Sequence, residues 1–418
     1  MVELLLTHVS DLHIGAFSNT SLFKAPLNAF GKIAEFALHE KTEYLVVAGD
    51  FFEKPEFRDF PTLLGVLKIL RELKERGSVK VVVGPGSHDR SYRSVSTLEV
   101  LREAGLLHIP EHEETGEYLV LKPLEVGGVT FYALPGLNNN REVEYVRSGR
   151  VRLERLEEVK GPVVLIAHTN VRFEGYNPAD YSNRYGELTL LPDDWFRRLR
   201  DKVNYIALGH VHFPVPVFHE GHHRMVYAGA PVGRDKADLR ETLQLRRNGF
   251  NRRAVLVDLS DDPPRCRSIW DDFGVEIDEI DLDYKGLQEL GEAIKSRVSA
   301  MRGIFKALLV ELRGVNPVIR GRVLHELRVL ELTLGTLIYT DIREVEVMLK
   351  SPIISSVVTR LSKDIQELKK EIALDIIKKY RLNTSVEKLL ELLETLGEDD
   401  EPEKIYEKIK PILEEMVR

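Results

Sequence analysis

Two histidines one residue apart, in Gly209-His210-Val211-His212, follow directly on the apolar run Tyr205-Ile206-Ala207-Leu208. Neutral imidazole is a good ligand for manganese, iron and zinc, and a strand terminus holds it more rigidly than a free loop does. The same arrangement recurs four times. Residues 4–10 run into Asp11-Leu12-His13, residues 44–48 into Gly49-Asp50, residues 79–83 into Gly86-Ser87-His88-Asp89, and residues 163–167 into His168. A lone histidine pair is more often structural than ligating. Carboxylates and imidazoles together, each at the end of an apolar β-rich segment, are hard to explain as packing. Mixed oxygen and nitrogen donors suit two divalent ions roughly 3.5–4 Å apart, which clamp a phosphate and activate water at neutral pH. Such a pair needs a carboxylate able to bridge, and Asp50 is the expected bridge.

The carboxyl ends of sheet strands are where an α/β protein builds its site, so the five segments are expected to be strands of a helix-covered sheet. Apolar residues at helical spacing predict crossover helices over 26–39 and 61–76 and a third near 95–103. From 118 the pattern becomes strand-rich, with strands expected at 118–121, 129–134, 215–218, 224–228 and 254–259. The predicted class is α/β: a two-sheet β-sandwich flanked by helices.

In order, Asp-x-His, Gly-Asp, Gly-x-His-Asp, His and Gly-His-x-His resemble the motifs of calcineurin-like metallophosphoesterases. Spacing and flanks resemble the nuclease subunit of double-strand-break repair complexes, the Mre-eleven or SbcD type, over residues 1–260. The resemblance implies that Asp11, His13 and His212 complete the first metal site around Asp50, and that His168 and His210 serve the second. It implies His88 as the acid that protonates the leaving oxygen, with Asp89 orienting it. One position departs from the family: Ser87 stands where Gly-Asn-His-Asp would supply an amide oxygen, so a weaker second metal site is expected. Implied too are two divalent ions, manganese foremost, DNA as substrate, a partner of the SbcC type (an SMC-like ABC ATPase), and a homodimer built on the helices between the second and fourth strands.

The rest of the chain bounds these expectations. Of 418 residues, 43% are hydrophobic and 30% charged, an ordinary globular balance. The single cysteine, Cys266, excludes a disulfide framework and multi-cysteine zinc motifs. With no membrane-length apolar stretch and no signal peptide after Met1, a cytoplasmic location is expected. A net charge of −8 requires any nucleic-acid contact to use a local patch. Arg197-Arg198-Leu199-Arg200, Arg234-Asp235-Lys236, Arg246-Arg247 and Arg252-Arg253 are candidates, each equally readable as a solvated face. His8 reads as a packed strand residue, and His219, His222 and His223 as a hairpin tip.

Asp261-Asp262-Pro263-Pro264 marks a boundary. Three regions are expected: a phosphoesterase domain at 1–260, a small α/β capping domain at 261–350, and a helical region at 351–418 that either packs on the cap or docks the ATPase. Two other functions fit the same motifs: a phosphoesterase for small phosphodiesters or phosphoproteins, and a weakly active scaffold binding DNA and an ATPase, for which Ser87 is the support.

Overall fold

The computed structural model describes residues 4–91, 94–172, 191–192 and 194–344, with single positions at Lys370 and Ser385. A six-stranded sheet runs in the order Glu220–His222, Arg265–Asp271, Arg252–Asp258, Leu5–Val9, Tyr44–Ala48, Lys80–Gly84. A five-stranded sheet runs Met225–Tyr227, Tyr205–Gly209, Val163–His168, Val129–Leu134, Leu124–Val126. They pack face to face. Leu6, Val46 and Val82 of the first meet Phe131, Ile166 and Ala207 of the second in one buried layer.

Strand periodicity explains the sequence of these segments. In Tyr44–Ala48, Tyr44, Val46 and Ala48 point between the sheets, while Leu45 and Val47 point outward under helices. With both faces covered, the strand reads as an unbroken apolar run, and each large aliphatic side chain fully buried there stabilises the fold by roughly 1.5–3 kcal/mol. The covering helices are Ala25–His39, which buries Phe30, Ile33 and Ala37, and Phe60–Gly77, which buries Val66, Leu70 and Leu73. The second starts where the Asp59 carboxylate accepts from Thr62 N–H at 3.0 Å and ends at Ser78 in the left-handed region. On the far side of the other sheet, Leu165 and Leu208 pack with Val143, Phe196 and Leu245.

The first three strands of the chain are mutually parallel, and so are Val129–Leu134, Val163–His168 and Tyr205–Gly209. Parallel pairing sets the carboxyl ends of each trio along one edge. Every motif starts at such an end.

Three expectations change. The run at 215–218 contributes only an isolated bridge from Val215 to Tyr227, and His222 lies in an edge strand paired with 265–267 rather than at a hairpin tip. Arg234-Asp235-Lys236 and Arg246-Arg247 lie at the two ends of a capped helix, Lys236–Arg247. Arg252 and Arg253 are buried in a strand, so they offer no surface for phosphate.

Beyond 260 run the parallel strands Val275–Asp283, Phe305–Val315 and Leu337–Glu344, with helices Leu287–Ala300 and Arg320–Leu334. One sheet face packs on those helices through Leu308, Val310 and Leu312. The other sends Ile277, Ala307, Leu309 and Leu337 into the same core as Phe30 and Ile33. Lys236 and Arg240 pair with Asp341, and Arg247 with Glu279. Residues up to 344 accordingly form one compact unit, and position 261 falls inside it. The helices expected in 351–418 lie outside the described residues.

Candidate active site

The loops that leave the first two strands are zipped together by backbone hydrogen bonds, Asp11 N–H to Gly49 O at 3.0 Å and His13 N–H to Asp50 O at 2.9 Å. Asp11, His13, Asp50 and His210 all have positive φ, between 45° and 87°. Side-chain-bearing residues seldom adopt that conformation, and such strain collects at functional sites. Two glycines make room for the assembly: a β-carbon on Gly49 would collide with the His168 ring, and one on Gly209 with the Ala48 carbonyl.

Those loops bring together residues up to two hundred positions apart. Asp11, His13 and His212 form one group of converging donor atoms, and Asp11, Asp50 and His168 a second, with all atoms in each group within 4.8 Å of one another. His168 and His212 each tie Nδ1 to an acceptor, and both, with His13, turn Nε2 inward. His168 Nδ1–H donates to Ala48 O at 3.0 Å, His212 Nδ1–H to the Asp238 carboxylate at 2.9 Å, and His13 Nδ1 lies 2.9 Å from Glu53 Oε2. The inward Nε2 of His168 is 3.3 Å from Asp50 Oδ2, is buried, and has no hydrogen-bond partner. The Nε2 atoms of His13 and His212 approach to 3.1 Å. Two imidazole lone pairs so placed require a proton or a cation between them. Ligands roughly 2.0–2.2 Å from an ion sit about 3 Å from one another, so the donor set fits divalent metal.

Electrostatics points the same way. Burial resists charge on Asp50, but His168, His13 and His88 outweigh it and hold the carboxyl well below its usual range. Burial likewise resists protonating His168, yet Asp50 and Asp11 draw the imidazole up to about 10. His210, edge to face with His168 at 5.2 Å, is pushed down to about 3 by burial and then by its neighbour's charge, so its nitrogen is available as a neutral donor. The pocket calls for positive charge at its centre. Its backbone amides are committed as well: His210 N–H donates to Asp11 at 3.0 Å and His88 N–H to Asp50 at 2.9 Å, fixing both carboxylates.

His88 lies beside this centre, its ring 5.2 Å from that of His13. It is not oriented by Asp89. His88 Nδ1–H donates to Glu53 O at 2.9 Å, and its Nε2 accepts from Arg234 at 2.9 Å. Asp89 instead accepts the amides of Phe51, Phe52 and Gly86 at 3.0–3.1 Å and so clamps the second and third loops. Burial and the charge of Asp50 push its carboxyl up to about 7, against the pull of those amides. Ser87 is exposed, and among the described residues no hydrogen bond joins its hydroxyl to the cluster.

Four residues of the site carry no motif. Glu53, three positions after Asp50, groups with His13 and His88. Asp238 orients His212 as a carboxylate behind a metal-facing imidazole does; its signal in the sequence was Asp235-Lys236-Ala237-Asp238, a capped helix start in which Asp235 accepts from Asp238 N–H at 3.1 Å. Arg252 binds the His212 carbonyl, donates to Asp238 O at 2.6 Å and to Thr242 at 2.8 Å, and so couples helix, strand and ligand. Arg234 reaches His88, and lies 3.5 Å from Glu53 Oε1.

Residues 4–214 match the family model described as calcineurin-like phosphoesterase. Two curated proteins are similar, each a DNA double-strand break repair protein Mre11: that of Archaeoglobus fulgidus is 26% identical over 57% of this chain and 52% of its own length, and that of Aeropyrum pernix 29% identical over 50% and 48%. The chain thus spans about half the length of the curated relatives it matches. Among solved structures, the phosphopantetheinyl hydrolase of Mycobacterium tuberculosis aligns with 64% of this chain and 96% of its own at 18% identity and a TM-score of 0.32, too low an overlap to bear on substrate. No helix among the described residues is long and apolar enough to cross a membrane.

Proposed function

The chain belongs to the calcineurin-like phosphoesterase family, and from that premise we propose that it is a DNA nuclease with a dinuclear, manganese-loaded centre. The supporting observation is the convergence of Asp11, His13, Asp50, His168 and His212, with the Nε2 of His168 buried and unpartnered. Asp11, His13 and His212 would hold one ion, His168 and His210 the other, and Asp50 both; exposed Ser87 makes the second the weaker. When bound, such ions supply Lewis-acid activation of a phosphoryl group and of water. The protein holds these groups rigid: Asp238 and Ala48 fix the rings of His212 and His168, Glu53 lies 2.9 Å from the ring of His13, and the amides of His88 and His210 fix the two carboxylates. His88 is anchored at Nδ1 by Glu53 O, and its Nε2, which accepts from Arg234 in this structure, is the atom from which a protonated ring would deliver its proton to the departing oxygen. Asp89 acts on the backbone of the loops that carry Asp50 and His88.

DNA as substrate and a role in break repair are supported by the two repair-protein relatives; an SbcC-type ATPase as partner, a homodimeric state and a cytoplasmic location rest on the sequence resemblance alone. The test is cleavage of end-labelled duplex DNA with manganese, against bis(p-nitrophenyl) phosphate as a small diester. Manganese-dependent cleavage of both, abolished by Asp50→Asn, is expected. Hydrolysis of the small ester without any cutting of DNA overturns the nuclease reading and leaves the phosphoesterase.

A further inference from the structure

The run Arg197-Arg198-Leu199-Arg200 has no part in the active site. It lies in and just beyond the short helix Asp194–Leu199, beside the amino ends of the strands Tyr205–Gly209 and Met225–Tyr227. The metal-facing residues follow the opposite ends. With a strand rise of about 3.3 Å per residue, Ile206 sits roughly 13 Å from His210. A cavity of about 300 Å³ opens at this amino end. Its apolar floor is Phe196 and Ile206, each 2% exposed, with half-buried Met225 and exposed Pro263 beside them. Its charged lining is wholly cationic: Arg197, Arg200 and Arg224. Arg200 and Arg224 also line a second cavity of about 250 Å³ whose walls are polar and include Lys202 and Asn204. The two meet at those arginines as one groove, an apolar cup that opens into a polar trough.

The fold sets these cations in place. Arg224 is pinned, because its guanidinium donates to Val203 O at 2.9 Å and to Asn204 O at 3.3 Å and pairs with Asp262. Arg200 is 69% exposed, and its 3.8 Å contact with Asp201 is a surface pair that contributes little. Planar guanidinium forks match carboxylates bidentately. A cup for one bulky apolar side chain, with arginines at its rim and a trough beyond, fits an extended peptide that carries an apolar residue among carboxylates. Single-stranded nucleic acid is a poorer match, since bases stack on open ring faces and the Phe196 ring is covered. Independently of the nuclease reading, we propose that this groove docks an acidic peptide segment of a partner protein. Its large apolar side chain enters the cup, and the neighbouring carboxylates engage Arg197, Arg200 and Arg224.

The test uses the full-length protein and fluorescein-labelled heptapeptides Asp-Glu-Asp-X-Asp-Glu-Gly, with Leu, Met, Phe, Trp or Ser at X, read by anisotropy. At least one apolar X is expected to bind tenfold more tightly than Ser, and replacing every Asp and Glu by Asn and Gln to abolish binding. Arg197 and Arg200 are exposed, so Arg197→Glu and Arg200→Glu are each expected to weaken that peptide at least fivefold with an unchanged melting temperature. Arg198→Glu makes the same charge change on the same helix at a residue that lines neither cavity, and a change of less than twofold is expected. Equal binding of apolar and serine peptides, or equal effects of all three substitutions, overturns the proposal, because general charge attraction then accounts for the binding. Displacement of the peptide by a twelve-nucleotide oligothymidine at a tenth of the concentration needed with unlabelled peptide assigns the groove to nucleic acid and overturns it too. No arm uses metal or turnover, so a protein that fails to cut DNA leaves this result standing.

Discussion

Asp11 and Asp50 are buried among four imidazoles, and the charge balance of that arrangement is set by His168. With its imidazole drawn up to about 10, His168 holds a proton at neutral pH when no metal is bound, and an ion that uses Nε2 must displace it. The sign follows: raising pH removes the competitor, so metal affinity should rise about tenfold per pH unit across pH 6–9 for one proton released. Calorimetric titration of manganese in two buffers of different ionisation enthalpy measures that proton directly, and affinity independent of pH would refute the assignment of His168 as a ligand. Asp238 gives a second test at this scale. Asp238→Ala removes the acceptor that fixes the His212 tautomer, and a loss of 10–100-fold in metal affinity is expected, read by the same titration. The converging carboxylates and imidazoles were legible in the sequence because each follows a strand end and their types are chemically unusual there. Asp238 and Glu53 were not read as part of the site, and Arg234 was read only as a basic patch, because they reach the site from a helix start and from loops, where local sequence does not say which atoms a side chain will face. The expectation that Asp89 orients His88 failed for a related reason: adjacency in sequence does not say which atoms a carboxylate faces, and here it faces three amides.

At the scale of elements, the strands were readable from their apolar runs and the first two helices from their spacing, whereas Lys236–Arg247 was obscured by its charge. Its mean composition is polar, and its buried face is narrow, formed by Leu239, Thr242 and Leu245 with Asp238 and Glu241. Arg252 is the reason that face can include polar groups. Buried at 2% exposure, its guanidinium satisfies the carbonyls of Asp238 and His212 and the Thr242 hydroxyl, so a residue that reads as a surface cation instead locks helix to ligand. Arg252→Met keeps the bulk but strands those acceptors, at roughly 1–3 kcal/mol for each buried group left unmade. A loss of about 2–4 kcal/mol in urea unfolding is expected, with weaker metal binding because the His212 backbone loosens. Full stability in Arg252→Met would mean that the carbonyls find other donors and that the arginine is dispensable.

For the molecule as a whole, the sequence suggested a break at 261, where Asp-Asp-Pro-Pro interrupts the pattern. Composition reports where a chain turns, and it cannot report which faces meet afterwards. The three-stranded sheet beyond that point has two apolar faces. Its own helices cover one, and the other lies in the same buried core as Phe30 and Ile33 of Ala25–His39 and Leu239 of Lys236–Arg247, where Phe273, Val275, Ile277, Leu309 and Leu337 are all under 7% exposed. At roughly 1.5–3 kcal/mol per large buried side chain, that shared face is comparable with the whole net stability of a typical domain, about 5–15 kcal/mol. The module that begins near 275 is therefore part of the scaffold that holds the metal-facing loops, as the pairing of Lys236 and Arg240 with Asp341 also requires, since those cations lie in the helix that carries Asp238. A fragment ending at 344 should unfold in a single cooperative transition and keep its affinity for manganese. A fragment ending at 260 should bind a hydrophobic dye, aggregate on size exclusion, and bind metal at least tenfold more weakly, because the helix behind His212 loses its support. If the shorter fragment instead proves monomeric with undiminished metal affinity, the two modules are energetically independent and the shared face contributes packing without positioning the site.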